Sequence, residues 1–188
     1  MLMLINNDTI IKDDNPLIRE KSLDVSLPLS KEDEELIKDM LNYVIESTDE
    51  EIAKEKNLSP AVGISAIQVG VKKKMMAIAL KDEKGEITDQ FALVNPKLVS
   101  YSLEKTYLKS GEGCLSVPDF HEGYIYRYAR IKVKAYDALK KENVELRIKD
   151  YLAVVFQHEM DHFNGILYYD HINKENKFYE DKNAIVIE

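Results

Sequence analysis

The segment from Tyr151 to Phe163 constrains the fold of this chain more than any other. It is largely apolar, yet it carries His158-Glu159-Met160-Asp161-His162 inside it. Imidazoles and carboxylates are costly to bury without partners. Any core that takes in this segment must therefore supply partners for them. Asp150 stands where a cap belongs and Asn164-Gly165 where a stop belongs, which predicts a helix from about Asp150 to Phe163. Its apolar residues run round the whole circumference, the pattern of a central, buried helix. Residues four apart share a helical face with Cβ atoms about 5 to 6 Å apart, so His158 and His162 can hold one metal ion. Glu159 can then approach a metal-bound water without being a ligand, as in the HExxH metalloproteases. The competing reading is a pair of hydrogen-bonded core histidines beside a solvated Glu and Asp.

Elsewhere the hydrophobic period changes along the chain. Ser30 followed by Asp33 resembles a capped start, and Leu36, Ile37, Met40, Leu41, Val44 and Ile45 then recur on one stripe, predicting a long amphipathic helix over about 31 to 55. Met75 to Leu80, Phe91 to Val94 and Leu98 to Tyr101 are short apolar or β-rich runs separated by turn material such as Lys84-Gly85 and Asn95-Pro96, and predict strands. Ile131, Val133 and Ala135 alternate with polar residues, as do Val144, Leu146 and Ile148, across a polar connection from Asp137 to Asn143, which predicts a hairpin. Ala184 to Ile187 predicts a C-terminal strand. Strands segregated before a buried helix imply an α+β fold with mixed or antiparallel strands packed around the helix that carries the histidines. No repeat, low-complexity tract or linker divides the sequence, so residues 1–188 are expected to form a single domain.

Composition excludes several functions. With 26 Lys and Arg against 34 Asp and Glu, the chain of 188 residues carries a net charge of −8. Its densest basic run is Lys72-Lys73-Lys74, too little for binding along a phosphate backbone. Apolar runs stop at six residues, far below the ~20 that span a bilayer. Met1 to Ile5 lacks the basic start and longer hydrophobic region of a secretory signal. The single cysteine, Cys114, excludes an intrachain disulfide and fits a reducing cytoplasm.

A catalytic zinc-type site usually has three protein ligands and one open position, so a third ligand is needed beside His158 and His162. In one protease subclass the motif continues His-x-x-Gly-x-x-His. This chain follows it through Gly165 and then has Tyr168 in place of the histidine. His171 and His121 are further candidates that read as surface histidines. Cys114 is the better one: it sits in Glu112-Gly113-Cys114-Leu115-Ser116, where Gly113 would let another backbone approach closely, and a thiolate with two imidazoles is a tetrahedral-capable set. A lone cysteine is nonetheless more often an inert buried residue.

Glu112 to Ser116 together with His158 to His162 resembles the peptide deformylases, whose metal is held by the Cys of EGCLS and the two His of HExDH. Their third motif, GxGxAAxQ, matches Ala61-Val62-Gly63-Ile64-Ser65-Ala66-Ile67-Gln68, with Ala61 for the first Gly and Ser65 for the first Ala. The order and spacing of the motifs fit over about residues 5 to 187. The long first helix and strand-like tail resemble the longer form found in Gram-positive-type bacteria. Ala61 places a methyl group where the motif has glycine, which would be strained at a positive φ; Ser65 stays small.

The resemblance implies Cys114, His158 and His162 as metal ligands, Glu159 as acid and base, and the Gln68 amide and Leu115 N–H as oxyanion donors. It implies one divalent ion, Fe2+ in the cell, with Zn2+, Ni2+ or Co2+ in purified protein. The implied partner is the N-formyl-methionyl end of a nascent chain at the ribosome exit, acted on by a cytoplasmic bacterial monomer without direct nucleic-acid or membrane contact. Val62, Tyr151 and Val154 are expected to form the methionine pocket, and backbone around Gly63, Ile64 and Gly113 to pair with the peptide as an added strand. Two other classes compete. A zinc peptidase of another lineage lacks its third ligand at the expected spacing here, and a purely structural metal site would favour a fourth protein ligand.

Overall fold

The computed structural model describes residues 4–188, so Met1 to Met3 of the apolar opening lie outside the described residues. In chain order the elements are α1 (Lys31–Glu46), α2 (Glu50–Lys56), β1 (Gly63–Ser65), β2 (Met75–Lys81), β3 (Ile87–Tyr101), β4 (Lys105–Leu108), β5 (Arg127–Tyr128), β6 (Arg130–Asp137), β7 (Glu142–Lys149), α3 (Asp150–His162) and β8 (Ile185–Ile187). An antiparallel sheet runs in the order β1-β2-β3-β6-β7, and a smaller one in the order β5-β4-β8, in which β8 lies parallel to β4.

β2 shows why its run Met75 to Leu80 is apolar without alternation. Met75, Ala77 and Ala79 face the stripe Leu36, Ile37, Met40, Leu41 and Val44 of α1, while Met76 and Ile78 face Val155 and Phe156 of α3. Successive strand residues point to opposite faces, so a strand covered on both faces is apolar throughout. The sheet is thus held between α1 and α3. Each fully buried Met or Ile contributes about 1.5 to 3 kcal/mol relative to exposure. No described helix is long and apolar enough to cross a membrane.

Three expectations need correction. The helix over 31 to 55 is two helices, because Ser47 Oγ accepts from Ala61 N–H at 3.1 Å and Asp49 caps a fresh start by accepting from Glu51 and Ile52 N–H. Such side chains compete with the helical ladder. Asn95-Pro96 is not a turn: β3 runs through it with a register shift between Val94 and Lys97, while Asn95, at φ 52°, bonds the Val25 backbone through its side chain. This is a bulge, which bends a strand without ending it. Finally, Asp150 does not cap α3. Lys149 occupies the cap position without a side-chain bond, and Asp150 opens the helix at φ 56°. The hairpin pairs as its alternation predicts, Ile131 with Ile148, Val133 with Leu146 and Ala135 with Val144.

From Leu152 to Phe163 no side chain of the α3 segment is exposed. The stop at Gly165 is a steric matter: its φ is +70°, and a Cβ there would lie 2.0 Å from the Arg19 carbonyl oxygen. Only glycine fits.

Candidate active site

α3 presents His158 and His162 one turn apart, and the loop after β4 lays Cys114 against them. Cys114 Sγ and one ring nitrogen from each histidine all lie within 4.8 Å of one another, with Sγ 3.5 Å from His162 Nε2. His158 Nδ1 donates to Glu112 Oε2 at 2.9 Å, which leaves Nε2 for the set. A partner on the far nitrogen fixes tautomer and ring orientation for a metal-binding imidazole.

Charges beneath the set are organised by Arg127. Its Nε and Nη2 donate to the two Glu112 oxygens at 2.8 Å each, and Nη1 donates to Asp161 Oδ2 at 2.5 Å. His171 Nε2 lies 2.7 Å from the same Asp161 oxygen. Burial pushes the Glu112 carboxyl up, but the Arg127 charge and hydrogen bonds prevail and hold it at about 2. Asp161 is likewise held below the usual carboxylate range against its burial, by His171 and Arg127. Burial also opposes ionisation of Cys114, yet the neighbouring imidazoles hold its thiol well below the ordinary value. The thiolate and the Glu112 carboxylate in turn raise the affinity of His158 for a proton, against its burial. A site that attracts a proton this way also attracts a metal cation in its place. These residues therefore fit a divalent ion, and an N/S set of this kind suits Fe2+, Zn2+, Co2+ or Ni2+.

Glu159 is buried and stands outside the donor set. Its carboxyl pKa is raised, first by burial and to a lesser degree by Cys114, while both imidazoles and a hydrogen bond from Ser65 act the other way. β1 passes directly over it. A Cβ on Gly63 would lie 2.5 Å from Glu159 Oε1, so Gly63 is needed for close approach and not for a positive φ. Just after β1, Gln68 Oε1 accepts from Ser65 N–H at 2.8 Å, and its Nε2 points to Ser116 Oγ at 3.2 Å and Cys114 Sγ at 3.5 Å.

These groups open into a cavity of about 760 Å3. Val62, Gly63, Gln68, Gly113, Cys114, Leu115, Tyr151, Val154, His158 and Glu159 all line it. Ile64 does not; its side chain is fully buried on the α1 face of the sheet, one strand position out of phase with Gly63. No other backbone of the chain packs against Gly113, since a Cβ there would meet nothing within 4 Å. Ala61 needs no positive φ. His171 sits at the outer end of the Arg127 network, and the His121 ring packs 4.3 Å from Tyr169; neither joins the donor set. Tyr168 is buried, and its hydroxyl accepts from His121 N–H at 3.0 Å.

Two residues carry no sequence signal for the places they take. Lys12 Nζ donates to the Leu115 carbonyl at 2.7 Å from 103 residues away, and Ile187 of β8 closes one side of the cavity.

An α+β scaffold that sets a buried carboxylate beside, and not within, a Cys/His/His set is the arrangement of the metal-assisted hydrolases. The model of the family described as polypeptide deformylase matches residues 7–178. Peptide deformylase 2 of Bacillus subtilis is 46% identical over 185 residues, covering 98% of this chain and 100% of that protein. The peptide deformylase of Macrococcus caseolyticus is 48% identical over 179 residues, covering 95% and 97%. Among solved structures, a class I type b peptide deformylase from Acinetobacter baumannii superposes with a TM-score of 0.68 at 29% identity, covering 89% of this chain and 99% of the other. One from Ehrlichia chaffeensis gives 0.70 at 27% identity, covering 89% and 88%. The chain belongs to the peptide deformylase family.

Proposed function

We propose that Cys114, His158 and His162 hold one divalent metal ion and that Glu159 moves the proton in hydrolysis of a formamide. As a member of its family the chain is a hydrolase that removes the N-formyl group from newly made polypeptides. The observation that carries the assignment of roles is the position of Glu159, which is buried, lines the cavity beside Cys114 and His158, and is excluded from the donor set.

When bound, the ion supplies Lewis-acid activation of water and of the formyl carbonyl. Glu159 takes the proton of the attacking water at its carboxylate and returns it to the amine nitrogen as the C–N bond breaks, so formate and a free N-terminus leave. A carboxyl whose pKa burial has raised suits both halves of that transfer. Gln68 Nε2 and the Leu115 N–H donate to the developing oxyanion, each contributing about 10² to 10³ in rate. The methionine side chain takes the apolar part of the cavity at Val62, Tyr151 and Val154. Backbone of Gly63, Ile64 and Gly113 pairs with the peptide, a reading supported by the position of β1 at the sheet edge.

Fe2+ is the ion we assign in the cell, with Zn2+, Ni2+ or Co2+ in purified protein. We assign the work to a single catalytic domain over residues 1–188, acting as a cytoplasmic monomer on nascent chains at the ribosome exit. The net charge of −8 supports the absence of direct nucleic-acid binding. Anaerobic assay of formate release from formyl-Met-Ala, with metal analysis of the same sample, tests the reading: metal-replete protein that releases no formate refutes it. Glu159→Gln should keep the metal and lose about 10² to 10⁴ in turnover.

A further inference from the structure

Ser65 replaces an alanine of the motif, and the hydroxyl it brings does not lie idle. It is fully buried, 2.8 Å from Glu159 Oε2 and 2.8 Å from the backbone oxygen of the same residue. We propose that Ser65 is a positioning residue for Glu159, anchoring Oε2 so that Oε1 is the oxygen presented to the reacting centre. This inference rests on the role given to Glu159 above.

The terminal torsion of a glutamate is broad and roughly two-fold, so packing alone defines its carboxylate plane poorly. Ser65 removes that freedom. Its one hydroxyl proton is shared between the side chain and the main chain of Glu159, which fixes the carboxylate relative to its own helix. The main-chain acceptor is available because the helix ends there: Phe163 N–H, the partner Glu159 O would have in a continuing α-helix, bonds Met160 O at 3.2 Å instead. The opposite carboxylate oxygen packs against Gly63, where a Cβ would come within 2.5 Å of Oε1. The carboxylate is thus held from two sides by residues of one strand, β1.

The same residue also registers the oxyanion donor. Ser65 N–H donates to Gln68 Oε1, which turns Nε2 toward Cys114 and Ser116. Any residue except proline at position 65 supplies that backbone bond. Only serine or threonine supplies the hydroxyl as well, so substitution at this side chain acts on the base while leaving the amide bond available.

The test is a double-mutant cycle on the metal-loaded enzyme, with Ser65→Ala made in the parent and in Glu159→Gln, and formyl-Met-Ala-Ser as substrate. In the parent, Ser65→Ala should lower kcat about tenfold, the scale of a modest misplacement, with KM within about twofold and metal content unchanged. In Glu159→Gln the same change should alter the residual rate by less than about twofold, since no base remains to be positioned. Ser65→Thr, which keeps the hydroxyl, should recover most of the loss. In crystals of metal-free Ser65→Ala, the Glu159 carboxylate should occupy more than one orientation. An active parent whose Ser65→Ala variant loses less than twofold overturns this inference alone, as do equal losses in both backgrounds or an unchanged single carboxylate orientation. A parent that releases no formate overturns both this inference and the function it rests on.

Discussion

Adding one methyl group at Gly63 should disable the enzyme without dismantling its donor set. Gly63 does not need a positive φ and lies in β1, so alanine suits its backbone and any effect belongs to the methyl group. A Cβ built there sits 2.5 Å from Glu159 Oε1 and 3.0 Å from Cδ and Cγ, where ordinary contact begins at 3.4 Å. Something must give by about 0.9 Å. β1 is the stiffer side of the contact, being paired to β2 through Gly63 with Ile78, Ile64 with Ala77 and Ser65 with Met76, and its Ile64 is fully buried. The carboxylate therefore moves. A displacement near 1 Å of a reacting group costs about 10² in rate, or about 2.7 kcal/mol in transition-state stabilisation. Overpacking should cost about 1 to 3 kcal/mol of stability as well. Coupled detection of formate with saturating formyl-Met-Ala-Ser gives kcat, while metal per chain and a thermal melt are read on the same preparation. A loss of kcat below threefold would show that the methyl group is absorbed without moving the base. Loss of the metal would place the disturbance at His158, and either result refutes the reasoning.

Three other outcomes follow from the site. Cys114→Ala should lose stoichiometric metal, measured by elemental analysis; retention of metal and full activity would remove the thiol from the donor set. Gln68→Leu should lower kcat by about 10² to 10³ with little change in KM or metal content; steady-state kinetics showing less than a threefold loss would take Gln68 out of the mechanism. Arg127→Leu leaves the Glu112 and Asp161 carboxylates buried without their shared cation and should cost about 3 to 5 kcal/mol in urea unfolding. An unfolding midpoint equal to that of the parent would show that the pair is not held by Arg127.

What the sequence discloses depends on how local the signal is. His158 and His162 are one helical turn apart, and the alternation in Ile131 to Ala135 and Val144 to Ile148 sets its own register. Both could be read from neighbours alone. Cys114 meets them only across the chain: the residues alone leave it a candidate beside His171 and His121, and the resemblance implies it. What escaped depends on distant partners. The break at Ser47 needs Ala61, the bulge at Asn95 needs Val25, and the Leu115 carbonyl needs Lys12. Side-chain bonds to a remote backbone have no period. Glycines mislead for the same reason: Gly113 faces open space and Gly63 faces a carboxylate, a difference set wholly by what lies opposite.

Arg127 belongs to none of the three motifs, yet two of them meet on it. Glu112 comes from the cysteine segment and Asp161 from the histidine segment, and one buried guanidinium binds both. A buried ion cluster is weak evidence for stability, because desolvation offsets much of the attraction. Its clearer effect here is geometric: it docks the cysteine loop onto α3 and, through Glu112, fixes the nitrogen that His158 turns toward Cys114. It also sets the charge. Glu112 and Asp161 are held as carboxylates beside the Arg127 guanidinium, and the neighbouring imidazoles draw Cys114 toward thiolate. The site is thereby rich in carboxylate and thiolate character, which suits the divalent cation proposed for the donor set. The acidic residues of both motifs thus have a common physical reason: through Arg127 they build one frame that fixes the cysteine loop and His158 relative to each other.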